Sequence, residues 1–172
     1  IVLLGDPAGG LGGSEYLKQH HGLVRGTPCA VDLDRERALQ ALLVDAAQGR
    51  WIRSAHDGSD GGLAVTLAEC CVESGTVGAQ VDLPSWDGAD ERFGVVQALF
   101  GEAPSRVVVS VAAGYRDRLL SSARERSVPA TVIGSTGGAR LRLAVAGQPL
   151  ADIGVDGAEH AWGQGLTRHF ER

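Results

Sequence analysis

Two hydrophobic periods alternate along this chain and sort it into strands and helices. Ile1 to Leu4 is an apolar run of strand length and predicts a buried strand. Gly5 to Gly13, reading GDPAGGLGG, follows as a loop. Ser14 is placed to cap a short helix through His20, with Glu15 in its first turn. After a proline-containing link, Arg25 to Ala30, a helix starts at Asp32 or Asp34 and runs to about Gln48. Leu39, Leu42, Leu43 and Ala46 fall at helical spacing within it, and Gly49 ends it. Trp51 to Ala55 predicts a short strand entering a polar, glycine-rich turn. Leu63, Leu67, Cys70 or Cys71, and Ser74 then share one face of a helix that Gly75 closes.

In the second half, Val77 to Leu83 alternates apolar and small residues as a strand does. Asp87 to Leu99 carries Phe93, Val96 and Leu99 (or Phe100) at helical intervals. Arg106 to Ala112, RVVVSVA, is the clearest strand, because it is built of β-branched residues. Tyr115 to Arg126 predicts a charged amphipathic helix with Leu119 and Leu120 toward the core. Thr131 to Gly134 and Leu141 to Val145 predict a hairpin-like pair around Gly137-Gly138. A turn at Gly147-Gln148, an edge segment Pro149 to Ile153 and a terminal helix Glu159 to Phe170 complete the chain. Strands and helices mix without strict strand–helix–strand order. The pattern therefore predicts an α+β layered domain, a mixed β-sheet packed by helices, over a doubly wound nucleotide fold. Residues 1–172 read as a single domain.

Composition narrows the classes. The 172 residues suffice for one good core, and 44% apolar with 22% charged residues is ordinary for a soluble globular chain. A net charge of −5 without a basic patch argues against nucleic acid and anionic membranes. No run of about 18 apolar residues is present, nor a basic-then-apolar signal peptide. Cys29, Cys70 and Cys71 lack both disulfide-framework and CxxC spacing. They read as small structural residues in a reducing cytoplasm. The chain contains no methionine and opens directly on an apolar run, so it reads as a piece of a longer polypeptide.

The candidate chemistry centres on SAHDGSDGGLAVTLAE, Ser54 to Glu69: a strand, a polar glycine turn, then a helix. Such a turn gathers free backbone N–H groups at the positive end of a helix dipole and holds an anion without a lysine. His56, Asp57, Ser59, Asp60, Gly61 and Gly62 are its phosphate- or nucleotide-binding candidates. His56 reads either as a phosphate contact or as a hydrogen-bonded strand-end histidine. Asp57 and Asp60 either share a divalent cation, with Asp57 the candidate magnesium ligand, or Asp60 caps the following helix. Gly12, Gly13 and Ser14 in the first glycine loop are further ligand-facing candidates, with a plain surface turn as the alternative. Glu102, Ser105 and Arg106, in the turn before the strongest strand, are candidates too; there Arg106 either holds Glu102 structurally or faces a ligand. No phosphate-loop lysine motif, nucleophile elbow or catalytic triad is present.

Four stretches in order, LLGDPAGGLGGSEYLK, RSAHDGSDGGLAVTLAE, LFGEAPSRVVVSV and IGSTGG, resemble the C-terminal portion of the phosphoribosylformylglycinamidine synthase II family. The resemblance covers nearly the whole chain. A histidine–aspartate pair leading into SDGGLA and a helix is its most specific part. It implies a fold like the C-terminal domain of aminoimidazole ribonucleotide (AIR) synthetase. Family enzymes carry two copies of an ATP-binding-type domain followed by such an α+β domain, and SDGG marks the second copy. The implied activity is the ATP-dependent conversion of formylglycinamide ribonucleotide to its amidine, through an iminophosphate, in purine biosynthesis. ATP and magnesium serve the full-length enzyme, and ammonia comes from a glutamine amidotransferase subunit or domain. The implied partners are the upstream ATP-binding-type domains of the same polypeptide, whose removal would leave surface for a homodimer. Catalytic residues would lie in those domains, leaving none in this chain. Two departures stand out: Glu102-Ala103-Pro104 is the counterpart of a substrate-contacting Glu-Ser-Gln that belongs to the first α+β copy, and Gly58 replaces a bulkier residue. The alternative is a nucleotide-binding or scaffold domain from a related family, such as selenophosphate synthetase, thiamine-monophosphate kinase or hydrogenase maturation.

Overall fold

The computed structural model of the chain describes residues 1–73, 77–85, 93–165 and 170. The β-branched run Val107–Val111 forms β4 in the interior of an antiparallel sheet. Its companions are β1 (Val2–Leu4), β2 (Ile52–Asp57) and β5 (Ala130–Val132), in the order β2-β4-β1-β5. Val2, Leu3 and Leu4 pair with Val109, Val108 and Val107. Because successive side chains point to opposite faces, this sheet feeds two cores. Val2, Leu4, Val107 and Val109 pack against α2 (Leu33–Gln48) and α5 (Arg116–Glu125), through Leu39, Leu42, Ala46, Leu119 and Ala123. Leu3 and Val108 enter the opposite core.

That second core lies against another four-stranded sheet. It consists of β3 (Ala79–Leu83), β6 (Gly134–Thr136), β7 (Arg140–Val145) and β8 (Gln148–Gly154), in the order β6-β3-β7-β8. Only β3 and β7 run parallel, so this sheet is mixed. Ala79, Val81, Leu83, Leu141, Leu143 and Val145 supply its buried face. Leu63, Leu67 and Cys71 of α3 (Gly62–Glu73), Ala98 and Leu99 of α4 (Gly94–Phe100) and Val155 of α6 (Val155–Gly163) fill the space. The α+β layered architecture thus holds, with two sheets where the pattern suggested one.

Several local expectations hold. Ser14 caps α1 (Glu15–His21), and the Asp32 carboxylate caps α2 by accepting from the N–H groups of Asp34 and Arg35. Others shift. Strand β2 runs on through His56 and Asp57, so those two residues belong to the sheet rather than the turn. Helix α6 starts at Val155, before the expected Glu159. Ser74, Gly75, most of the segment expected as a helix before Phe93, and residues 166–169 lie outside the described residues.

The late hairpin is corrected. Thr131 to Gly134 is not one strand but the end of β5 and the start of β6, with Ile133 between them. Ile133 donates its N–H to Ile1 in the first sheet and accepts from Asp82 in the second, so the chain changes sheets at this residue. Strands β6 and β7 do not pair, because β3 lies between them. The Gly137-Gly138 turn closes around Gly78 instead: Gly137 donates to the Gly78 carbonyl and Gly78 to that of Gly138, each at 2.8 Å. The true hairpin joins β7 to β8 through Ala146 and Gly147, both at positive φ as a tight primed turn requires.

Ile133 is 2% exposed and serves both sheets. Ile133→Ala should cost about 2–5 kcal/mol in urea unfolding. Val132→Ala, at an edge position 46% exposed, should change stability by no more than about 0.5 kcal/mol.

Candidate functional site

Three loops that are far apart in sequence meet at one end of the first sheet: Gly9 to Ser14, the turn from Asp57 to Gly62, and the turn from Gly101 to Arg106. Their contact is backbone to backbone. A Cβ on Gly9 would lie 2.3 Å from the Gly101 carbonyl carbon, and one on Gly62 2.8 Å from the Gly101 oxygen, so neither position admits a side chain. Gly10 and Glu102 exchange two backbone hydrogen bonds, of 3.0 and 2.9 Å. The Glu102 side chain reaches further. Its Oε1 accepts from the N–H of Glu15, at the start of α1, at 2.9 Å, and from that of Gly61, just before α3, at 2.8 Å.

Arg106 lies beneath this junction, 3% exposed. Its Nη1 donates to the Gly101 carbonyl at 2.9 Å and its Nη2 to that of Pro7 at 3.3 Å, while its buried Nε has no partner among the described residues. Burial lowers its pKa, opposed by the nearby Asp6 and Cys29. Ser105 sits at φ 58°, a left-handed conformation rare for a residue with a side chain, and its hydroxyl donates to Glu36 of α2.

An open cleft of about 570 Å³ lies over these groups. Of the sequence candidates, Gly12, Gly13, Asp57, Ser59, Asp60, Glu102, Ser105 and Arg106 line it. The other four stand behind it. Ser14 is buried, and its hydroxyl donates to the Leu11 carbonyl while accepting from the Leu17 N–H. Gly61 and Gly62 form its support. His56 points along α3: its Nε2 lies 3.6 Å from a Glu69 carboxylate oxygen, and its Nδ1 is 2.8 Å from the Asp57 carbonyl.

Two readings change with this geometry. Arg106 does not hold Glu102: the arginine bonds carbonyls and the glutamate bonds amides. The turn's backbone donors are also partly committed within the protein. Gly58 donates to the Arg106 carbonyl, Gly61 to Glu102 and Gly62 to the Ser59 carbonyl. Glu102 accepts from the amide just before this helix, and the exposed Asp60 carboxylate makes no capping bond among the described residues. Glu36, Leu39 and Leu43 of α2 and Pro28, Cys29 and Val31 of the preceding loop also line it, and sequence reasoning missed them. For α2 a signal was present: Glu36 stands at i, i+3 and i+7 with Leu39 and Leu43, a carboxylate heading an apolar stripe.

Electrostatically the cleft sets one buried cation, Arg106, against four carboxylates. Glu36 is hydrogen-bonded to Ser105 and Glu102 to two amides, so Asp57 and Asp60 carry the exposed negative charge. Like charge repels a bare phosphate, whereas a phosphate accompanied by a divalent cation suits this donor set. Among the described residues no three His, Cys, Asp or Glu side chains gather into a metal cage.

A domain of two helix-covered sheets, with glycine loops crossing at a cleft, defines a class. The chain belongs to the AIR synthase related protein, C-terminal domain family, whose model matches residues 1–146. Its curated relatives include the phosphoribosylformylglycinamidine synthase subunit PurL of Moorella thermoacetica, 40% identical over 166 residues, 96% of this chain and 22% of that protein. The PurL subunit of Chlorobaculum tepidum is 42% identical over 168 residues, again 96% of this chain and 22% of the relative. The chain thus spans about a fifth of the length of the relatives it matches. Among solved structures, Thermotoga maritima PurL complexed with ATP superposes with a TM-score of 0.70 at 18% identity, covering 92% of this chain and 25% of that one. The hydrogenase maturation protein HypE in complex with ATP gives 0.59 at 19% identity, covering 88% and 49%. At these identities the likeness is one of fold.

Because the Asp60 carboxylate makes no capping bond among the described residues, Asp60→Ala should change unfolding free energy by no more than about 0.5 kcal/mol. A loss in the range of about 0.5–2 kcal/mol would restore the capping role to Asp60.

Proposed function

We propose that this chain is the C-terminal α+β domain of a phosphoribosylformylglycinamidine synthase subunit. Its cleft would take a phosphate-bearing ligand with a divalent cation, and the rest of the polypeptide would carry the chemistry. The convergence of three glycine-bearing motifs on one cleft above the buried Arg106 carries the reading. The identity to PurL subunits over nearly the whole chain supports it. The Thermotoga maritima PurL structures, solved with ATP, ADP and formylglycinamide ribonucleotide (FGAR), indicate which ligands to try first.

In this reading Asp57 and Asp60 face the cation. Magnesium usually keeps several waters and takes one or two carboxylates plus phosphate oxygens, which matches two exposed aspartates and no protein-only cage. Ser59 supplies a hydroxyl donor. Arg106, fixed by two carbonyls, contributes positive potential from below rather than a mobile grip. Gly12, Gly13 and Ser105 shape the wall, and Ser14, Gly61 and Gly62 hold the loops that carry it. His56 acts at one remove, by setting the backbone of Asp57. The ATP-binding-type domains and a glutamine amidotransferase would be partners of the whole enzyme, a cytoplasmic one. No helix among the described residues is long and apolar enough to cross a membrane.

The chain alone should give no amidine-forming turnover with ATP, magnesium, ammonia and FGAR. Turnover abolished by a point change in this chain would refute the division of labour. Titration with ATP and magnesium, followed by amide NMR, should shift Asp57, Gly58, Ser59 and Asp60 and should do so only weakly without magnesium. Asp57→Asn should weaken the magnesium-dependent binding roughly tenfold, about 1.4 kcal/mol. Unshifted amides across this turn at saturating ligand would exclude the cleft as the site.

A further inference from the structure

The turn from Gly101 to Arg106 touches the cleft, yet each of its polar side chains is turned into the protein. Ser105 is bonded to Glu36, Arg106 to the carbonyls of Gly101 and Pro7, and Glu102 to the amides of Glu15 and Gly61. Ala103 and Pro104 offer no polar side chain. A turn arranged in this way fastens structure rather than gripping a ligand.

The Glu102 bonds show what is fastened. One oxygen, Oε1, receives both N–H groups, and two nitrogens bonded to the same oxygen stay within about 6 Å of each other. The nitrogens belong to different elements. Glu15 is the first residue of α1, directly after the first glycine loop. Gly61 closes the second glycine turn, directly before α3. Amides at or just before a helix start lack intrahelical acceptors and need one from elsewhere. The Glu102 main chain adds a third tie, its two bonds to Gly10 within the first loop. The remaining neighbours reinforce the clasp: Lys18 and Gln19 bond the Glu15 carboxylate and tighten the start of α1.

We propose that Glu102 is a positioning residue for the cleft, which sets the separation of the two glycine-bearing walls through one shared carboxylate oxygen and does not touch the ligand. The proposal rests on the cleft being the binding site, as argued above. What matters in this role is reach and an acceptor oxygen, not charge. Gln keeps both. Asp keeps the charge but is one methylene short. Ala removes everything.

The test compares Glu102→Gln, Glu102→Asp and Glu102→Ala in the full chain, by amide hydrogen exchange and by titration with ATP and magnesium. In the Asp and Ala variants the Glu15 and Gly61 amides should exchange at least about tenfold faster, while core amides such as that of Val109 keep their protection. ATP–magnesium affinity should fall in the same two variants. In the Gln variant exchange should stay within about threefold of the parent and binding should be retained. A Gln variant as impaired in binding as Ala would overturn the proposal, since charge or direct contact would then be at work. So would unchanged exchange at Gly61 and Glu15 in the Asp and Ala variants. If only Ala fails to fold, the Gln–Asp pair still decides. If the parent chain binds no ATP, the cleft reading fails, and the exchange arm still reports whether Glu102 holds the two walls.

Discussion

The period of two along β1 and β4 is the constraint on which the rest of this domain depends. Leu3 and Val108 point one way, and Val2, Leu4, Val107 and Val109 the other. A sheet apolar on both faces must be covered on both. Helices α2 and α5 cover one side. On the other side α3, α4 and the second sheet share the cover. Both connections that frame the cleft, from β2 into α3 and from α4 into β4, cross this boundary between the cores. The cleft therefore sits where the covering layers part, at the ends of β2 and β4.

That placement explains the electrostatics. A guanidinium just before β4, 3% exposed, donates to the carbonyls of Gly101 and Pro7, in two of the loops that border the cleft. It raises the potential of the cleft floor without a flexible side chain in the opening. The rim carries the opposite sign in Asp57 and Asp60. On the proposed reading, a floor and rim of opposite sign would meet a metal–phosphate pair, which carries charge of both kinds.

Much of this was legible in the sequence because the signals were local. Ser14 and Asp32 as caps, the β-branched run of β4, and the helical stripe of Leu39, Leu42 and Ala46 each depend on residues a few positions apart. Gly12, Asp57, Ser59, Asp60, Glu102 and Arg106 were each candidates from their local turns, but their meeting at one cleft was not legible. What was hidden was non-local. No pattern within Thr131 to Gly134 tells the chain to leave one sheet for another at Ile133, and nothing near Gly137-Gly138 reveals that β3 will lie between the flanking strands. The assignment of the α3 cap failed for the same reason. Asp60 is adjacent in sequence, but the acceptor that reaches Gly61 comes from residue 102. His56 turned from the cleft because β2 extends two residues further than its apolar content suggested, and alternation then carries its ring to the α3 side.

The strand order of the second sheet sets an order of events in folding. Among its described pairings, only β7 with β8 joins neighbours through a tight turn; β3 meets β6 and β7 across more than about fifty residues of chain. Loop closure must precede those contacts, so the β7–β8 hairpin is the piece able to form early, and the parallel β3–β7 ladder belongs late. Until β3 arrives, β7 has an open edge and the Gly137-Gly138 turn has nothing to close around. An apolar strand with one edge still open is the kind that invites pairing with a second chain.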